Sequence, residues 1–301
     1  MNYQSLPNSS RYVQFMRERF PLTTHLPMIL SFSCANIAIG TAALGKGVGL
    51  FSSLAACLIT FLFFMRLRLF DELKDLEYDK IANPDRPLVR GLVKPQELLR
   101  IIFLALIFEC LLVLSLSPAA IFAYLTALGF SLLMFKEFFI GQIIRPHLTT
   151  YAVIHTFVSV LMGYMIAAVS HHAALFEFPI SFFIFGFINW ALFNVFEFAR
   201  KTFSRDEERA GIETYSSKFS SLGAIALTMS QVLIVILVGM LLTHPVLPAK
   251  VLWFQIVLAA ALAAGMAWYL TAGTKRSAAV YRALAGFYII LTYIGFAMRN
   301  I

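Results

Sequence analysis

Of sixteen acidic residues, seven (Asp71, Glu72, Asp75, Glu77, Asp79, Asp85, Glu97) lie between positions 71 and 97, and five (Glu197, Asp206, Glu207, Glu208, Glu213) between 197 and 213. Asp71, Asp75 and Asp79 are spaced i, i+4, i+8. At about 100° per residue they stack on one face of a helix. Like charges on one stripe repel and destabilise an isolated helix. A divalent cation would relieve that, and Mg2+ commonly bridges protein carboxylates to a substrate phosphate. The plain alternative is a solvated helix end with alternating charge, given Lys74 and Lys80. Arg66, Arg68, Arg86, Arg90 and Lys94 accompany the first cluster, and Arg200, Lys201, Arg205 and Arg209 the second. Arginine can grip a diphosphate with two parallel hydrogen bonds.

The elements that must position these acids cross a membrane. The chain has 301 residues, 60% hydrophobic and only 13% charged, with mean hydropathy +0.80. Soluble domains carry about 25% charged residues. Apolar runs near the ~20 residues that cross a bilayer are expected at 22–42, 48–69, 98–115, 118–136, 150–170, 178–198, 220–243, 250–271 and 282–299. All basic residues except Lys46, Lys250 and Arg299 fall in the N-terminal arm or around the ends of spans two, four, six and eight. That is the positive-inside pattern. It predicts a cytoplasmic N-terminus, an outside C-terminus, and an integral protein of a bacterial inner membrane. It also explains the net charge of +8 without a nucleic-acid partner.

One membrane domain is expected over 1–301. It has an arm over 1–20, whose residues 11–20 suit a short interfacial helix, and two long cytoplasmic cap loops over 70–97 and 199–219. The first apolar run begins after a polar arm and is too long for a signal peptide. Cys34, Cys57 and Cys110 sit inside spans, with spacing that fits neither zinc nor a disulfide framework. His171 and His172, adjacent on an outer loop, are a weak metal signal. Gly45-Lys46-Gly47-Val48-Gly49 lacks the spacing of a phosphate-binding loop.

Asp71-Glu72-x-x-Asp75-x-x-x-Asp79, followed by Arg86-Pro87-Leu88-x-x-Gly91, resembles the first signature of the UbiA superfamily of intramembrane prenyltransferases, usually written N-D-x-x-D-x-x-x-D and R-P-L-x-x-G. Gly211-x-x-Thr214, with acids just before it, is similar to the end of the second signature. The resemblance covers nearly the whole chain. It implies an all-α polytopic fold of about nine transmembrane helices around a central lipid-open cavity, capped by helical cytoplasmic loops. It implies that two acidic motifs hold Mg2+, which binds the diphosphate of a prenyl donor. Ionisation then leaves an allylic cation beside a lipophilic acceptor.

By position, Asp75 and Asp79 match the family's metal-binding aspartates. Asp71 stands where Asn is usual and Glu72 where Asp is usual. Glu207, four before Gly211, matches the last acid of the second motif. Phe203 stands where an Asp is expected, so Glu197 or Asp206 is expected to supply that ligand. The expected metal set is therefore Asp71, Asp75, Asp79, Glu197, Asp206 and Glu207, with the first three as the catalytic acids. Arg86, Lys136, Arg145 and Lys201 are the expected diphosphate contacts, and a Lys136–Glu137 ion pair is expected at the cavity mouth.

Polar groups within spans are costly and usually face a cavity or a partner. Asn36, Glu109, His155 and Asn194 are the candidates for cavity positions, with Asn189 beside them, although interhelical hydrogen bonding is the leading explanation of the Asn and His residues, and Glu109 could equally pair within the bundle. Thirty Phe and eleven Tyr could wall a carbocation. A prenyltransferase is expected. A terpene cyclase sharing the same ionisation is the nearest alternative. A transporter is the alternative of another class, although such proteins place their sites at the midplane, where only Glu109 is deep.

Overall fold

The computed structural model describes residues 8–243 and 246–299. With no water in the bilayer core, every backbone N–H and C=O there must be paired within its own segment, and the chain answers with helices. They are α1 (Asn8–Arg19), α2 (Leu22–Leu44), α3 (Leu50–Lys74), α4 (Leu76–Ala82), α5 (Pro95–Leu116), α6 (Ile121–Phe135), α7 (Gly141–Ile144), α8 (Leu148–Thr156), α9 (Val158–His171), α10 (Ile180–Arg200), α11 (Tyr215–Leu241), α12 (Ala249–Ala272) and α13 (Lys275–Ala297). Among the described residues nine segments are long and apolar enough to span a membrane, with α8 and α9 together forming the fifth.

The helix ends follow local chemistry. Gly45 and Gly273 stop α2 and α12 in the left-handed conformation, at φ 64° and 62°, which only glycine adopts without steric cost. Thr214 and Thr274 start α11 and α13 by accepting hydrogen bonds from the Ser217 and Ser277 amides. The last span thus begins seven residues before the expected position 282. The polar Lys275, Arg276 and Arg282 hid its first two turns. In α11, Ser220 adopts φ 65° and ψ 168°, so regular helix resumes after it, close to the expected start of that span.

Consecutive spans pack side by side and the ring closes where α13 meets α2. α9 also contacts α2 and α3, and α10 contacts α13, so these helices run through the middle of the bundle. They approach closely because small residues line them. At Gly163 a Cβ would fall 2.3 Å from Asn189 Nδ2 and 2.6 Å from Asn36 Oδ1. The space admits a hydrogen bond of 2.8 Å between those two amides. Asn194 bonds Thr156 at 2.5 Å and Gln231 at 3.1 Å.

Glu109 and Arg66 are both fully buried. Arg66 Nη2 lies 3.2 Å from Glu109 Oε2, Tyr124 donates to the same carboxylate at 3.2 Å, and Arg66 Nη1 donates to Ser131 at 2.9 Å. The cavity assignments of Asn36, Asn194 and Glu109 are thereby corrected. These groups satisfy one another between helices, because a bonded polar pair is the least costly way to bury them.

On the far side of the bundle from α1, His171 bonds Thr41 at 3.1 Å, and His172 bonds Ser52 at 2.8 Å and the Leu116 carbonyl at 2.7 Å. The two histidines tie helix ends together. On the arm side, α1 does not spend its apolar face on lipid. Phe15 is buried in a cluster with Leu69, Leu88, Leu92 and Val93, and Arg11 donates to the Leu92 carbonyl at 3.3 Å. Ion pairs Arg19–Glu72 and Arg90–Glu18, each at 2.6 Å, complete a clamp of α1 over the first cap loop.

Candidate active site

α3 runs past its apolar stretch and carries Asp71 beyond it before ending at Lys74. Asp75 interrupts the helix at φ −92° and ψ 3°, yet the ladder bridges the break. Its amide donates to the Asp71 carbonyl at 3.0 Å, and the Asp79 amide donates to the Asp75 carbonyl at 2.8 Å. The stripe of three acids therefore survives as a bent one. Asp71 accepts from Lys74 at 3.2 Å with half of its side chain exposed. Asp79 is buried, paired with Arg86 and bonded by Asn83 at 2.9 Å. Between them Asp75 makes no side-chain hydrogen bond or ion pair among the described residues. Burial pushes its carboxyl above the usual carboxylate range; Lys74 and Arg145 oppose this, and the charges of Asp71 and Asp79 reinforce it.

Glu72 faces the other way. It is buried and bonded to Arg19 at 2.6 Å and Arg68 at 3.2 Å, so the second acid of the first motif anchors α1 to α3 and stays out of the site.

The connection between spans four and five forms the opposite wall. Glu137, Phe138 and Phe139 have φ of 50°, 55° and 59°, a left-handed turn that non-glycine residues rarely adopt. Glu137 holds it. Its two carboxylate oxygens each accept from Arg145 Nε at 2.8 Å, and one accepts from the Tyr151 hydroxyl at 3.2 Å. Gly141 leaves room, since a Cβ there would lie 2.2 Å from Glu137 Oε2. The expected Lys136–Glu137 pair is thus corrected: Arg145 takes the carboxylate, and Lys136 lies exposed, 5.2 Å over the Phe135 ring. Lys74 Nζ sits 5.7 Å over the Tyr151 ring. His155 stacks on Tyr151 at 4.0 Å and its Nδ1 donates to the Tyr151 carbonyl at 2.7 Å. That makes Nδ1 a protonated nitrogen. Nε2 is buried and unpartnered.

The second cluster presents a different picture. Glu197 lies 2.5 Å from Arg200 and 2.9 Å from Lys201. Arg200 also feels the charge of Asp71, which is where the two clusters approach. Glu207 is bidentate with Arg282 of α13, Glu208 accepts from Thr214 and Ser216, and Asp206 is exposed. Among the described residues no three Asp, Glu, His or Cys side chains converge on one point, so the six expected ligands do not form a preassembled cage. Arg86, tied to Asp79, opens on its other side into a depression of about 450 Å3 lined also by Glu18, Arg19, Asp85 and Arg209.

A family model for the UbiA prenyltransferase family matches residues 30–291. The chain belongs to that family. Two solved structures share the fold of this UbiA family member. One, described under structural and mechanistic insights into the biosynthesis of digeranylgeranylglyceryl phosphate synthase in membranes, is 16% identical, with TM-score 0.56, covering 93% of this chain and 98% of the other. The other, the apo structure of a UbiA homolog from Aeropyrum pernix K1, is 14% identical, with TM-score 0.63, covering 88% and 96%. No curated protein matches the sequence. Membership makes the chain an integral membrane protein of the prenyltransferase class.

The residues of the first cluster fit a magnesium ion. Mg2+ usually takes only one or two protein carboxylates and fills its octahedron with water and substrate phosphate. Asp71 and Asp75, one turn apart, supply that number, and Asp75 has a carboxylate with no competing partner. Lys74 and Tyr151 escaped the sequence reading as site residues, Glu137 was expected at the cavity mouth with another partner, and Arg200 was named only among the bases around the second cluster. Lys74 and Arg200 carried a faint signal in their i+3 spacing from Asp71 and Glu197. Tyr151 carried none, because only the packing of α8 on α9 and α10 brings its ring under Lys74.

Proposed function

We propose that this UbiA family member is a Mg2+-dependent prenyltransferase that moves an isoprenoid chain from a prenyl diphosphate to a lipophilic acceptor at the cytoplasmic face. The single observation that carries the reading is Asp75. It is a half-buried carboxylate without a partner, set between other carboxylates and flanked by Lys74 and Arg145, with Arg200 near the neighbouring Asp71. Acids that bind a divalent cation and bases that bind an anion, side by side, suit a metal-bound diphosphate. The asymmetric placement of Lys and Arg supports a cytoplasmic location for that face.

The roles follow from the positions. Asp71 and Asp75 are the residues that would hold Mg2+, which when bound neutralises the diphosphate as a leaving group. Lys74, Arg145 and Lys201 are the fixed cations for the charge that develops on the diphosphate oxygen as the C–O bond breaks. Preorganised charges of this kind are usually the largest single contribution to such catalysis. Glu137 orients Arg145, and Tyr151 links Glu137 to the Lys74 side. The apolar span ends beside them keep water from the allylic cation until the acceptor attacks it.

The test is diphosphate release by purified protein given Mg2+ and geranyl, farnesyl or geranylgeranyl diphosphate. The acceptor panel holds aromatic compounds and polar-headed isoprenoid lipids, the latter because one structural relative is a digeranylgeranylglyceryl phosphate synthase. Release that depends on an acceptor and yields a prenylated product is expected. No release with any donor, in a preparation where a control enzyme works, would refute the reading. Acceptor-independent release with a cyclic hydrocarbon product would select a cyclase.

A further inference from the structure

The carboxylates of the second cluster are already occupied by the protein itself. Glu207 Oε1 accepts from Arg282 Nη2 at 2.7 Å. Its Oε2 accepts from Arg282 Nη1 at 3.1 Å and from the Ser204 amide and hydroxyl at 3.0 Å each. Arg282 is fixed in turn: Nη1 also donates to the Thr202 carbonyl at 2.9 Å, and its guanidinium lies 4.9 Å over the Phe203 ring. The pair holds the Glu207 carboxyl far below its ordinary range. Glu197 has one oxygen on Arg200 and the other on Lys201. Glu208 accepts from the Thr214 and Ser216 hydroxyls. Only Asp206 has no such partner, and it is exposed.

A cation binding at Glu207 would have to expel a bidentate guanidinium and break the turn that Glu207 caps. A cation at Glu197 would have to displace two bases one turn away. Neither obstacle exists at Asp75. The positive charge that a second metal would bring is present as side chains instead: Arg200 within reach of Asp71, and Lys201 beside it.

We propose that this protein holds a single divalent cation, at Asp71 and Asp75, and that Arg200 and Lys201 supply the neutralisation of the substrate diphosphate on the side of the second acidic cluster. The inference rests on the diphosphate reading above and is separable from it. Arg282, on the last span, is then a positioning residue that keeps the second cap loop closed without metal.

Electron paramagnetic resonance of Mn2+ titrated into the full-length protein in detergent tests this without turnover. The titration is run alone and with farnesyl S-thiolodiphosphate, a donor analogue that resists ionisation. One bound Mn2+ per chain is expected, with the hyperfine spectrum of an isolated ion. Asp75→Asn should abolish it. Glu207→Gln and Asp206→Asn should leave both stoichiometry and spectrum unchanged; Asp206, being exposed, remains informative if loss of the Arg282 pair unfolds the loop. Arg200→Met should weaken binding of the analogue without changing the Mn2+ count. Two bound ions with a spin-coupled spectrum, or loss of an ion on Glu207→Gln or Asp206→Asn, would overturn the single-cation inference and leave the transferase reading standing. No Mn2+ bound under either condition would overturn both.

Discussion

The buried Arg66–Glu109 pair offers the sharpest test of how the bundle holds together. Both side chains have no exposed surface and their nearest charged atoms are 3.2 Å apart. Glu109→Ala would leave the Arg66 guanidinium with one neutral partner, Ser131 at 2.9 Å, and the Phe63 ring 4.2 Å away. Removing one partner of a buried pair costs about 3–5 kcal/mol. A lone charge at the centre of a membrane helix costs a similar ~2.5–3.5 kcal/mol on insertion scales. With about 2–4 °C lost per kcal/mol for a chain of this order, the apparent unfolding midpoint in detergent should fall by roughly 6–20 °C. The double variant Arg66→Met with Glu109→Leu removes both charges and should be within about 1 kcal/mol of the parent, or more stable. The readout is the coupling between the two sites across the double-mutant cycle. If the double variant were as damaged as the sum of the single ones, the pair would not be acting as a pair, and the reasoning would fail.

Asp75→Ala should abolish turnover while leaving expression and gel-filtration behaviour unchanged; full activity in a diphosphate-release assay would break the metal assignment. Gly163→Ala should separate the Asn36–Asn189 hydrogen bond, because its Cβ would sit within 2.6 Å of both amides, costing about 1–3 kcal/mol in thermal unfolding. Gly286→Ala, which meets nothing within 4 Å in the interior of α13, is the control and should be neutral or stabilising by up to about 1 kcal/mol. The Glu207 carboxyl lies at about 2 against an ordinary 4.5, chiefly because Arg282 donates to it. A depressed acid stabilises fully above its unfolded value and loses that contribution as pH falls through its folded one. Unfolding midpoints should therefore decline between about pH 4.5 and 2, and more shallowly in Arg282→Met; equal slopes would exclude the clamp.

The nine spans were legible in the sequence because the bilayer sets a minimum length for an apolar helix, and composition alone reports it. Their ends were less so. The last span carries Lys275, Arg276 and Arg282 in its first turns, and only the Thr274–Ser277 cap marks where it begins. The acidic stripe was legible from spacing. Its surroundings were not: Tyr151 is brought under Lys74 by the way α8 packs on α9 and α10, and Arg282 reaches Glu207 across 75 residues. Asn36, Asn194 and Glu109 were visible as polar residues in apolar spans. Whether each faces a cavity or another helix depended on partners in other spans, such as Asn189, Gln231 and Arg66.

The contrast between the two acidic clusters has a local origin. On a helix, a side chain meets its neighbours at i±3 and i±4. Glu197 has Arg200 and Lys201 at i+3 and i+4, and pairs with both. Glu72 has Arg68 at i−4 and pairs with it; Glu77 has Lys80 at i+3 and pairs with it. Asp75 has Glu72 and Asp71 behind it and Tyr78 and Asp79 ahead. No base occupies any of those four positions, so its charge has no local answer and must be met from outside the helix. Lys74 is adjacent in sequence but is drawn to Asp71 and the Tyr151 ring. Two stretches of similar composition on the same side of the membrane thus reach opposite ends. In one, Glu72 and Glu77 carry their own bases on the helix, Asp79 takes Arg86 from the loop that follows and Asp71 shares Lys74, so that of these helical acids Asp75 alone is left without a base. In the other, the acids are answered by Arg200, Lys201 and a distant arginine. On the proposed reading, the acid left over in the first stretch, Asp75, is the one free to meet a cation that arrives with the substrate.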